Sequence, residues 1–144
     1  MIVQQILAMK PQTGTITIAP SATLNEAVEL LSAHRIGALV VSLDGKAVAG
    51  ILSERDVVRE LGKQGPSCLS RKVSDVMTAK IISCTRSETA LDVLQTMTDG
   101  RFRHMPVIEG GQMVGLISIG DVVKARLAEL AAEKDALESM IKGY

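Results

Sequence analysis

Apolar residues recur at helix spacing in two places along the chain. Leu24, Ala27, Val28 and Leu31 follow i, i+3, i+4, i+7, and Ala90, Val93, Leu94 and Met97 do the same 66 positions later. Thr23 with Glu26, and Thr89 with Asp92, stand where an N-cap and its acidic partner belong, so each face opens an amphipathic helix. Short apolar runs around glycine-containing turns follow each helix, at 38–43 and 47–52 and again at 104–108 and 112–118, and predict hairpins. An extended piece precedes each helix, at 15–19 and 81–85. After the last strand of each set a further helix begins. The second of these starts near Gly120 and runs long, with Val123, Leu127, Leu130, Leu137 and Ile141 on one stripe if Lys134 fills the gap. That stripe either packs on its own domain or forms a dimer contact.

Laid over each other, the two sets form an internal duplication. Ile16 falls on Ile82, Ile36 on Phe102 and Val41 on Val107. After a one-residue difference in the hairpin turn, GILSERDVV at 50–58 falls on GLISIGDVV at 115–123. Each copy reads β-α-β-β-α, and the polar segment 62–72 joins them. One unit alone is too small to bury both faces of its sheet. The expected architecture is therefore α/β (α+β): repeats 1–64 and 65–144 packed sheet to sheet with pseudo-twofold symmetry, a cleft between them, and a long C-terminal helix.

Composition narrows the function. Nearly half of the 144 residues are apolar, but Phe102 and Tyr144 are the only aromatics, so aliphatic and Met side chains fill the core. The formal charge is zero, which gives no general field for nucleic acid or an anionic membrane. A local basic stretch, Arg101-Phe102-Arg103-His104, remains. Arg101 and Arg103 should share a strand face, with His104 on the other. Cys68 and Cys84 lack metal-ligand spacing with His34 or His104, and no metal site is expected. Neither a signal peptide nor an apolar run of membrane-spanning length is present, so a cytoplasmic location is expected. No catalytic motif appears, and an enzyme is not expected.

Ser-x-x-Asp at 53–56 and 118–121 has two readings. It is a minimal capping box, and it is also a place where a carboxylate could meet a ligand at a helix start.

The duplicated unit, with IGALVV and RHMPVI ahead of the two motifs, resembles a pair of cystathionine β-synthase (CBS) domains. SERDVVR and RFRHMPV are similar to stretches in small stand-alone bacterial members, with no catalytic or DNA-binding domain attached. The resemblance implies a regulatory sensor that binds AMP foremost, or ADP, ATP, NAD or S-adenosylmethionine, without an obligatory cofactor. It also implies a homodimer that regulates a separate enzyme or transporter. A ligand-independent protein-interaction module is the alternative, and nucleic-acid binding a weaker one.

By position, the resemblance assigns Asp56 and Asp121 to ribose hydroxyls, with Ser53 and Ser118 facing ribose or phosphate. One site would combine Thr15, Ile16, Ile36 and Gly37 with Leu116, Ser118 and Asp121, joined by Arg103 and His104. The other would combine Ile81, Ile82, Phe102 and Arg103 with Ser53, Arg55 and Asp56. Glu54-Arg55 in one motif and Ile119-Gly120 in the other make the two sites unlike. Magnesium could accompany a polyphosphate, but no carboxylate cluster marks a dedicated site.

Overall fold

A computed structural model describes residues 1–11 and 14–143. Helix α1 (Val3–Met9) comes first, followed by strand β1 (Thr17–Ile18), helix α2 (Leu24–His34), strands β2 (Ala38–Val41) and β3 (Gly50–Ser53), and helix α3 (Glu54–Gln64). A 3₁₀ turn (Gly65–Ser70) and the one-turn helix α4 (Val73–Val76) lead into the second copy. That copy supplies α5 (Ala90–Gly100), β4 (His104–Glu109), β5 (Gln112–Ser118) and the long α6 (Ile119–Ile141).

Local chemistry sets these boundaries. The Thr23 hydroxyl accepts the Glu26 amide at 3.1 Å, and Thr89 accepts Asp92 at 3.1 Å. Helices α2 and α5 end alike, at Arg35 (φ 52°) and Arg101 (φ 55°). A left-handed residue there lets its amide reach the last helical carbonyls.

β1 runs parallel to β2, which is antiparallel to β3, while β4 and β5 form their own antiparallel pair. Two strand expectations need correction. The run expected at 47–52 pairs in β3 only from Gly50, because Asp44 Oδ1 accepts the Lys46 and Ala47 amides at 2.8 and 2.9 Å and holds a turn. The piece at 81–85 makes a single bridge, through Cys84 to Val107, not a strand.

Leu39 and Val41 face the first core. Ala38 and Val40 point the other way by strand alternation. They are nevertheless only 4% and 0% exposed, so the sheet is covered on both faces, as a two-layer arrangement requires.

The two cores do not divide where the sequence repeat divides. Val3 and Ile6 of α1 lie in the second core, with Val93, Met97 and Ile117. In return Cys68, Val73 and Val76, which follow α3, complete the first core with Leu24, Leu31 and Leu52. Matching bridges fasten the exchange, Ile2 to Thr89 and Thr23 to Lys72. The segment at 62–72 is therefore more than a polar connector: Cys68 is buried, and Arg71 pairs with Glu60 of α3.

The glycine that opens each motif makes room for the lent segment. A Cβ on Gly50 would lie 2.5 Å from Met77 Sδ and 2.9 Å from the Thr78 carbonyl. One on Gly115 would lie 2.7 Å from Leu7 Cδ2.

The stripe on α6 is also settled. Val122 and Ala125 are buried on another face, while Val123, Leu127, Leu130, Leu137 and Ile141 are all exposed, so the stripe is not packed on its own domain.

Candidate functional site

Both Ser-x-x-Asp motifs cap their helices. Ser53 Oγ accepts the Asp56 amide at 3.4 Å, and Asp56 Oδ2 accepts the Ser53 amide at 2.9 Å. The same exchange joins Ser118 and Asp121, at 3.1 and 2.9 Å. Capping thus explains the Ser and uses one oxygen of each carboxylate. Asp56 Oδ1 accepts from Arg59, one turn along α3, at 2.6 Å. Asp121 Oδ2 also meets Lys10, from the end of α1, at 2.8 Å. Burial pushes Asp121 up, but the Lys10 ammonium and the Ser118 amide outweigh it and hold the carboxyl below its usual range.

A cavity of about 540 Å³ opens between the halves at the start of α3. That volume lies within the range of small-molecule sites. Ser53, Arg55 and Asp56 line it from the first half. Ile81 and Ile82 line it from the piece before α5, and Phe102 and Arg103 from the segment after it. All the residues expected for the second site therefore share one cavity. Of those expected for the first, only Gly37, Arg103 and His104 reach it. Ile16 and Ile36 pack instead against the first core. Thr15, Leu116, Ser118 and Asp121 are not on its wall.

The whole stretch 101–104 lines this cavity, so Arg103 and His104 share one wall although strand alternation alone would part them. Strand alternation does not govern these residues, because Arg101 is in the left-handed turn and β4 begins only at His104. The His104 ring sits over Gly37, where a Cβ would come within 3.2 Å of it. Burial pushes the imidazole below its usual value, and the Glu54 carboxylate opposes this without cancelling it.

Sequence reasoning missed Arg59 and Lys80 as wall residues, and Arg101, part of the basic stretch it singled out, joins them there. With Arg55 and Arg103 they set five permanent cations against Glu54 and Asp56, a local positive excess in a chain of zero net charge. Among the described residues only Arg59 of the five is ion-paired. Ile81, Ile82 and Phe102 add an apolar part to the wall. Such a cavity suits a ligand with a flat apolar part and an anionic part. No cluster able to hold a metal ion occurs among the described residues.

The sequence profile of the CBS domain matches residues 3–63 and again 73–128. The chain belongs to the CBS-domain family. As a CBS pair it is 44% identical over 125 residues to the CBS domain-containing protein CBSX3, mitochondrial, of Arabidopsis thaliana, covering 84% of this chain and 61% of that one. It therefore spans about three fifths of that relative's length. Among solved structures it is similar to the CBS-domain containing protein ATU1752 from Agrobacterium tumefaciens, with 42% identity and a TM-score of 0.83 over 88% of this chain and 99% of that one. The CBSX2 structure, in complex with AMP, shares 26% identity and a TM-score of 0.73, over 88% and 96% of the two chains. The mixed α/β fold and the long C-terminal helix are those of this family. No helix among the described residues is long and apolar enough to cross a membrane.

Proposed function

We propose that this CBS pair is a non-catalytic regulatory module that binds an adenine nucleotide in the cleft cavity. The observation that carries the reading is the convergence of Ser53, Arg55, Asp56, Ile81, Ile82, Phe102 and Arg103 on one cavity of ligand size. The AMP complex of CBSX2, a relative of the same fold, supports the same chemistry. In this reading the base lies against Ile81, Ile82 and Phe102, Asp56 accepts from the ribose hydroxyls, and the phosphates face the arginines. AMP, ADP, ATP and NAD all satisfy it. S-Adenosylmethionine, which brings a sulfonium cation into a cation-rich wall, satisfies it least. A reducing compartment such as the cytoplasm suits the two buried free thiols, and burial with Glu88 and Glu109 nearby raises Cys84 to about 12.

Isothermal titration with these five compounds tests the proposal. The phosphate-bearing ligands should bind, S-adenosylmethionine should bind more weakly than AMP, and added salt should weaken ATP more steeply than AMP. Failure of all five at millimolar concentration would leave a ligand-independent interaction module as the better reading.

The same reading includes a homodimer seated on the bare stripe of α6, through which ligand binding reaches a regulated enzyme or transporter. A ligand acts in this way only by preferring one arrangement of the dimer. Sedimentation of the double variant Leu127→Glu, Leu137→Glu should show a monomer; an intact dimer removes α6 from the interface.

A further inference from the structure

The two halves hold their motif aspartates by different devices. Asp56 takes Arg59 from its own helix. The matching residue in the second half is Lys124, which forms no ion pair among the described residues. Asp121 takes Lys10 instead.

Lys10 reaches Asp121 because the helices of the two lent segments differ in length. Lys10 stands at the same distance after Val3 and Ile6 as Lys80 does after Val73 and Val76. Helix α4 ends at Val76, and beyond it the Thr78 amide donates to the Ile51 carbonyl at 2.9 Å. Helix α1 runs on to Met9. Opposite it the carbonyl of Leu116, the counterpart of Ile51, accepts from Lys10 Nζ at 2.6 Å. The ammonium has taken the place of a backbone amide, and the same atom lies on Asp121. Its counterpart Lys80 instead lines the open cavity.

We propose that Lys10 is a built-in occupant of the second half-site. Its ammonium lies on Asp121 Oδ2 and takes up that half-site, whereas Arg59, which holds Asp56 Oδ1, itself lines the open cavity and must turn from Asp56 when the ribose arrives, so each chain offers one site with a cavity, at Asp56, and one filled by its own lysine. This rests on the nucleotide reading of the cleft. The cavity supports it in turn: it includes Gly37 and His104 but not Leu116, Ser118 or Asp121. The closure is reversible, because Lys10 and Asp121 keep 33% and 26% of their side-chain surface and their pairing is screened. A ligand at Asp121 must displace the lysine, and so binds more weakly than at Asp56.

Titration stoichiometry with AMP and ATP tests this. The unaltered protein should bind one ligand per chain tightly. Lys10→Met and Lys10→Gln should each add a second, with affinity at that site raised about tenfold, the value of a displaced charge-assisted hydrogen bond. Lys10→Gln keeps a donor for the Leu116 carbonyl, so it carries the test if Lys10→Met does not fold. In the background of Asp56→Asn, Lys10→Gln should restore one site per chain, and that site should vanish with Asp121→Asn. Two equal sites in the unaltered protein, or a single site in both lysine variants, overturn the proposal while leaving the nucleotide reading intact. No binding to any variant removes both.

Discussion

Asp56→Asn should weaken nucleotide binding by about 100-fold or more. In the proposed pose the carboxylate accepts from two adjacent hydroxyls, and each hydrogen bond to a charged group is worth about 1.5–3 kcal/mol, with 1.4 kcal/mol per factor of ten. Asparagine offers one uncharged oxygen and turns a donor toward the second hydroxyl. The apo protein should suffer less. Asparagine can still accept the Ser53 amide, and the lost partner is Arg59, whose side chain is half-exposed. Asp56 itself is buried, so losing this half-exposed pair costs about 1–2 kcal/mol, still less than the expected loss of binding. Titration and thermal denaturation of the same variant separate the roles. Unchanged affinity with a large drop in melting temperature would make Asp56 a capping residue alone.

The second large effect lies far from the cavity. Ile6→Ala should cost about 2–5 kcal/mol, the usual range for truncating a buried isoleucine. Ile6 is 1% exposed and packs in the second core, although it belongs to the first repeat. Urea denaturation measures the loss, and hydrogen exchange locates it. Amides of β4, β5 and α5 should lose protection before those of β2 and β3. A cost below about 1 kcal/mol, the range of surface substitutions, would mean that α1 is not part of that core.

The sequence made the duplication plain because a shift of 66 preserved helix faces and caps together. The caps at Thr23 and Thr89 fall where the spacing puts them, since an N-cap depends on residues three apart. What stayed hidden was tertiary. Helix α1 offers only Val3 and Ile6 as buried residues, too few for a periodic signal, and its exchange with 68–76 lies beyond any local pattern. One trace was available: Val3, Ile6 and Lys10 repeat at Val73, Val76 and Lys80. Of the two expected sites, the residues around Asp56 were brought to one cavity, while Lys10 on Asp121 had no sign near the motif it occupies. Arg59 was legible in principle, three residues after Asp56 on a helix. His104, expected with Arg103 at the first site, lines the Asp56 cavity beside it, because β4 begins only at His104 and alternation does not part the two.

The exchange of segments also bears on how the protein is made. A ribosome delivers α1 before the second half, yet the residues that bury Val3 and Ile6 include Met105, Ile117 and Val122. The first core in turn waits for Val73 and Val76. Neither half can close on its own product of translation. α1 stays unsatisfied until Met105, Ile117 and Val122 have emerged, so completing either core depends on both halves. A nascent first half therefore carries bare apolar surface, the condition in which growing chains need chaperones.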